Sequence, residues 1–175
     1  MIHRLLVLRH AKSSYPPGVL DHDRPLAPRG VVDAKAAGAW LSDHVGPLDQ
    51  VVVSSARRAR DTWALAAREI GSAGAAGDST SPSTIDPRIY DATAATLLEV
   101  LRELPGSTTT ALLVGHNPGC EDLVDLVARE REPEAAAALA RKYPTSGIAV
   151  LDIDTTWGAL APRTARLVEF AVPRG

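Results

Sequence analysis

The chain has 175 residues, a formal net charge of -2 and 45% apolar residues, with only 4% aromatic. That length suits one domain of roughly 100–200 residues, with a core drawn from Ala, Val, Leu and Ile. Near-neutral charge argues against broad binding to nucleic acid or an acidic membrane, and the lone cysteine, Cys120, excludes an intrachain disulfide or a cysteine metal site.

The first element follows at once. Leu5-Leu6-Val7-Leu8 is a continuous apolar run and reads as a strand buried on both faces. Before it, Met1-Ile2-His3-Arg4 lacks the apolar stretch of a signal peptide. No apolar run approaches the ~20 residues of a membrane span, so a cytoplasmic protein with no membrane partner is expected. A helix from Pro28 to about His44 puts Val32, Ala36 and Trp40 on one face, and Pro28 suits its first position. Val51-Val52-Val53 is a second buried strand, followed by a helix over Ala56–Ile70. Gly71 to Ser83, rich in Gly, Ser and Ala without periodicity, reads as a flexible surface loop.

Ala94 to Leu104 repeats leucines at helical spacing, and Ala111-Leu112-Leu113-Val114 is a third buried strand. Asn117 suits a helix cap with Pro118 at the first helical position. Cys120 falls in the first turn of that helix and reads as a small buried residue. Pro133 to Tyr143 is Ala-rich and helical. Two further strands, near Ile148–Leu151 and Arg166–Val172, flank a turn around Thr155–Pro162. Strands alternating with helices indicate a single α/β domain: a mostly parallel central sheet with helices on both faces, three layers in all.

Each of the three apolar strands ends in residues able to do chemistry. The first ends Arg9-His10. The second ends Ser54-Ser55 and leads to Arg57-Arg58. The third ends Gly115-His116-Asn117-Pro118. Ligands of open α/β sheets bind outside the carboxyl ends of the strands, so three such tips converge on one cleft if the strands are parallel neighbours. Ser54 or Ser55 is a natural cap for the second helix. Arg57, Arg58 and Arg60 crowd its first turn, where the helix dipole disfavours cations unless an anion lies there. Guanidinium matches phosphate oxygens in a planar, bidentate way. Only one or two residues of that turn can face the cleft; Arg58 is the one expected inside, with Arg57 and Arg60 outside.

Together, Arg9-His10-Ala11-Lys12-Ser13, Asp21-x-x-Arg24-Pro25-Leu26, Arg58-Ala59-x-x-Thr62, Gly115-His116-Asn117-Pro118, Ile89-Tyr90-Asp91-Ala92 and Pro144-Thr145-Ser146-Gly147 resemble the histidine phosphatase superfamily, in particular its short SixA-like phosphohistidine phosphatases. Ala11 replaces the glycine of the superfamily's Arg-His-Gly signature, as is common in that branch. The resemblance implies a phosphoglycerate mutase-like fold, with neither metal nor cofactor. It makes His10 the phosphate-accepting nucleophile, with Arg9, Arg58 and His116 as the rest of the pocket and Arg24 as a further phosphate contact. Two arginines at the site would also repel a divalent cation. Larger relatives supply a glutamate to protonate the leaving group. This chain has no evident equivalent, and Asp91 or Asp86 are the candidates for that role. A missing acid favours a labile P–N substrate, phosphohistidine in a protein, over a phosphate ester. The competing readings are a small-molecule phosphomonoesterase or mutase-like enzyme, and a non-catalytic phosphate-binding module. The expected partner is a phosphorylated protein or a small phosphorylated substrate, and the sequence fixes no oligomeric state.

Overall fold

The first strand, β1 (His3–Arg9), alternates its side chains between two faces, as the period-two pleat requires. Leu5 and Val7 enter one core; Leu6 and Leu8 enter another; none of the four is exposed. A strand apolar on both faces belongs in the middle of a sheet covered on both sides, and β1 sits there. The structure, a computed structural model, describes residues 2–73 and 82–175.

Chain order continues with α1 (Pro28–His44), β2 (Gln50–Ser54), α2 (Arg57–Ala73), β3 (Ser83–Asp86), α3 (Ala94–Arg102) and β4 (Thr110–Gly115). It ends with α4 (Gly119–Val127), β5 (Ala128–Arg131), α5 (Pro133–Arg141), β6 (Ile148–Ile153) and β7 (Ala165–Ala171). The seven strands form one sheet in the order β3-β2-β4-β1-β6-β7-β5. β1 pairs parallel with β4, β4 with β2, β2 with β3 and β7 with β5; β6 runs antiparallel to both its neighbours. The expected three-layer, mostly parallel architecture is therefore present.

The two cores lie on opposite faces. One joins Leu41 and Ala59, from α1 and α2, to Leu6, Leu8, Val51, Val53 and Val114. The other joins Leu97, Leu123 and Leu139, from α3, α4 and α5, to Leu5, Val7, Val52 and Leu113. Each fully buried side chain of this kind is worth roughly 1.5–3 kcal/mol. Among the described residues, no helix is long and apolar enough to cross a membrane.

Several boundaries differ from the sequence expectation. α2 runs on to Ala73 and β3 begins at Ser83, so the expected loop is shorter at both ends; residues 74–81 lie outside the described residues. β3 and β5 are four-residue edge strands that the apolar pattern does not announce, because their side chains are mostly exposed. α4 begins at Gly119, and its cap residue is Pro118, with no side-chain hydrogen bond. Asn117 does not cap it; its amide Nδ2 donates instead to Glu121 at 2.8 Å. Thr93 caps α3, accepting from the Thr96 N–H.

α1 and α2 meet backbone to backbone. A Cβ added at Gly38 would overlap the Ala66 carbonyl oxygen and lie 2.6 Å from Ala66 Cα. Overpacking of this kind costs about 1–3 kcal/mol. Gly38→Ala should therefore lower the unfolding free energy by that amount, read as a lower urea midpoint at an unchanged denaturant slope; an unchanged midpoint would show that the helices separate freely.

Candidate active site

The parallel pairing carries the carboxyl ends of β1, β4 and β2 to one edge of the sheet. The His10 N–H, just past β1, donates to the Gly115 carbonyl at the tip of β4 (2.9 Å). On β1's other side, the 144–147 turn grips the same segment. The Ser146 N–H reaches the carbonyls of Arg9 (3.0 Å) and His10 (3.3 Å), and the Arg9 N–H donates to Gly147 (3.0 Å). Ser146 adopts φ 61°, a left-handed conformation unfavourable for a non-glycine residue. The His10 backbone is thus held from both sides before its side chain is considered.

His10 is 8% exposed. Its Nδ1–H donates to the Ala11 carbonyl at 2.7 Å, so the proton is on Nδ1 and Nε2 carries the free lone pair. Arg58 Nε donates to that Nε2 at 3.3 Å. The His116 ring lies 5.0 Å from the His10 ring, centre to centre. Burial above all, with the charges of His116, Arg58 and Arg9 adding to it, pushes the His10 pKa down to about 3. Burial, and then the Arg58 charge, lowers His116 to about 4. Both rings are neutral at pH 7.

Arg58 is the one buried arginine of its turn. Arg57 and Arg60 face outward, and Arg57 pairs with Asp61 at 3.4 Å. One helical turn on from Arg58, the Thr62 hydroxyl donates to the Arg58 carbonyl (2.6 Å) and accepts the Ala11 N–H (3.0 Å), which ties α2 to the residue after the nucleophile candidate. Arg9 Nη1 donates to the Tyr143 carbonyl at 2.6 Å, and its buried Nε has no partner. The structure therefore brings Arg9, His10, Arg58 and His116 together at one strand edge.

The residue that the sequence reading left without a role is Asp21. Its carboxylate accepts from Arg58 Nη2 (3.1 Å), Arg24 Nη1 (2.6 Å) and the Tyr90 hydroxyl (2.8 Å), and its backbone carbonyl takes Arg58 Nη1 (2.6 Å). The Tyr90 hydrogen bond first, and then Arg24 and Arg58, lower its pKa to about 2. Arg24 is tied to its own loop: besides Asp21 it binds the Ser14 carbonyl (3.0 Å) and the Ser13 hydroxyl, and its guanidinium stacks 3.5 Å from the centre of the Tyr15 ring. Asp91 is exposed in a turn, and no hydrogen bond or ion pair joins it to the site. Asp86 is engaged by Arg88 (2.7 Å) and caps the short turn after β3. Neither carboxylate proposed as an acid is brought into contact with the four clustered residues. Asp21 was present in the sequence only as a motif position, and its hydrogen bonds to residues 37 and 69 places further on leave no local signal. Cys120 is buried and its thiol is pushed up to about 12 by that burial, so it is inert. Among the described residues, no group of three His, Cys, Asp or Glu side chains could hold a metal ion.

Comparison with known proteins points to one family. The model of the histidine phosphatase superfamily (branch 1) matches residues 5–151. An uncharacterised protein of Mycobacterium tuberculosis is 40% identical over 169 residues, 95% of this chain and 100% of that protein. A structure assigned as the phosphohistidine phosphatase SixA of Nakamurella multipartitia superposes with a TM-score of 0.82 at 29% identity, covering 99% of this chain and 97% of the other. A second structure so assigned, from Agrobacterium tumefaciens, gives 0.77 at 29% identity with 98% of each chain covered.

Two neutral buried histidines make stability depend on pH with a fixed sign. Their folded pKa values lie below the unfolded value of 6.5, so the unfolded chain binds the extra protons. Stability is full above about pH 6.5 and falls as pH drops toward 3. His10→Gln should flatten the slope of unfolding free energy against pH between 6.5 and 4, measured by urea titration. An unaltered slope would mean that His10 protonates freely in the fold.

Proposed function

The chain belongs to the histidine phosphatase superfamily, and on that footing we propose that it hydrolyses phosphohistidine in proteins through a covalent intermediate on His10. The observation that carries this reading is a neutral, buried imidazole whose free Nε2 faces a guanidinium at 3.3 Å. Phosphoryl transfer asks little covalent chemistry of a protein beyond a nucleophile in line and cations around the equatorial oxygens.

The Nε2 lone pair attacks phosphorus, the bond from phosphorus to the leaving nitrogen breaks, and the substrate imidazole, already carrying a proton on its other ring nitrogen, leaves neutral with the P–N electron pair. Arg58 Nε then turns from the nucleophile to a phosphoryl oxygen, while its Nη groups stay pinned by Asp21. Arg9 and His116 complete the donor set around the phosphoryl group. In the second half, water attacks phosphorus in line, the P–Nε2 bond breaks, and phosphate leaves with His10 restored to its neutral form.

The substrate class follows from the acid. Asp21, the carboxylate that binds Arg58, is ionised at neutral pH and engaged by three donors. That suits a phosphoramidate, whose P–N bond is weak and whose imidazole needs little help to leave, better than an alkyl phosphate. The two structural relatives assigned as SixA support the same class. A cytoplasmic setting fits a phosphatase of this kind with a single buried thiol.

Rapid acid-labile labelling tests the reading. Wild-type protein mixed with a 32P-phosphohistidine peptide should carry alkali-stable, acid-labile label, and His10→Ala should carry none. Arg58→Ala should lower kcat/KM by about 100–1,000-fold. Turnover of phosphohistidine peptide should exceed that of sugar and nucleotide monophosphates. Faster turnover of the monoesters would move the protein to small-molecule chemistry, and a fully active His10→Ala would remove the nucleophile.

A further inference from the structure

The two adjacent serines at the tip of β2 face different neighbours, as alternation along a strand requires. Ser55 Oγ is hydrogen-bonded with His22 Nε2 (3.0 Å) at the part-buried rim. Ser54 is fully buried, and its Oγ lies 2.7 Å from His116 Nε2. The proposed mechanism gives Ser54 no part, although it makes the one side-chain hydrogen bond to His116 found among the described residues.

We infer that Ser54 is a positioning residue that sets the tautomer of His116: its hydroxyl accepts the Ala56 N–H and gives its own proton to His116 Nε2, so that His116 carries its proton on Nδ1. This rests on the phosphatase reading above for its consequence, and on hydrogen-bond counting for its cause. A serine hydroxyl has one proton and two lone pairs. The Ala56 N–H already points at Ser54 Oγ from 3.3 Å. With that acceptor site filled by a backbone donor, the hydroxyl proton needs an acceptor, and His116 Nε2 is the partner in reach. In the opposite arrangement, Nε2–H donating into Ser54, the fully buried hydroxyl proton has no acceptor and His116 Nδ1 is an acceptor without a donor. In the inferred arrangement the one donor left open is Nδ1–H, which a phosphoryl oxygen can take up, so the cost of an unpaired buried donor is relieved when substrate binds.

The consequence falls on the other ring nitrogen. His116 Nδ1 is buried and has no partner in the protein. Bearing a proton, it is a neutral donor for a phosphoryl oxygen. Bearing a lone pair, it would repel the same oxygen. The two histidines of the pocket thus both hold their protons on Nδ1, for different reasons. On His10 the Ala11 carbonyl takes that proton and leaves Nε2 nucleophilic. On His116 the Ser54 hydroxyl fills Nε2 and leaves Nδ1–H to the substrate. One fixed tautomer therefore serves as nucleophile and the other as donor.

The test uses 15N-histidine-labelled protein and long-range 1H–15N correlation spectra at pH 7. Wild type should show His116 with a protonated Nδ1 and a bare Nε2. In Ser54→Ala that pattern should be lost, and kcat for phosphoramidate should fall about 10–100-fold. Ser54→Thr, which keeps the hydroxyl, should restore the pattern and most of the rate. A wild-type spectrum with the His116 proton on Nε2 overturns the assignment, even if Ser54→Ala does not fold. So does a folded Ser54→Ala with wild-type rate and spectrum. If the wild-type spectrum is as stated but His10 never takes up phosphate, the tautomer assignment stands and the phosphatase reading fails.

Discussion

Everything at the site depends on one hydrogen bond, from His10 Nδ1–H to the carbonyl of the next residue, Ala11, at 2.7 Å. It places the ring's only proton away from the pocket and leaves Nε2 as a lone pair beside Arg58. A buried imidazolium flanked by two guanidiniums would be severely disfavoured, so the same burial that fixes the ring also keeps it neutral. In the proposed reaction, position and desolvation make the ring nucleophilic without a partner base. The rest of the fold holds that ring in place. β1 lies in the middle of the sheet, the Gly115 carbonyl holds one side of the His10 backbone, and the Ser146 N–H holds the other.

The second constraint is charge balance. A cluster of guanidiniums without an anion would repel itself, and the protein answers with a carboxylate from the loop between β1 and α1. Asp21 binds Arg58, Arg24 and the Tyr90 hydroxyl together. It fixes the Nη edge of Arg58 and leaves the Nε edge turned to His10. Arg24, which the family resemblance offered as a phosphate contact, makes one hydrogen bond each to Asp21, Ser13 and Ser14. In this arrangement it braces the loop that carries Asp21.

The features legible in the sequence were those with local causes. Continuous apolar runs marked the three strands whose tips form the site. The crowding of Arg57, Arg58 and Arg60 into one helical turn marked the second strand tip as an anion site, with Arg58 expected inside. Pro28 marked the first residue of α1. What stayed hidden depends on contacts distant in sequence. Nothing near Asp21 announces Arg58 or Tyr90, and nothing near Ser54 distinguishes it from Ser55 as the partner of His116. The edge strands β3 and β5 were missed because a short exposed strand takes its order from the neighbour it pairs with and has no apolar pattern of its own. Asn117 illustrates the same limit: its composition suits a cap, but Glu121, one turn into the helix, takes its amide.

The central claim is that His10 presents Nε2, and no other atom, to phosphorus. The most direct measurement is the position of phosphate on the trapped phosphoenzyme, by 31P and 1H–15N NMR of protein labelled with 15N-histidine. The account predicts phosphate on Nε2 of His10, with the proton still on Nδ1. Phosphate on Nδ1, which would require the Ala11 hydrogen bond to be broken, or on any other residue, would contradict it.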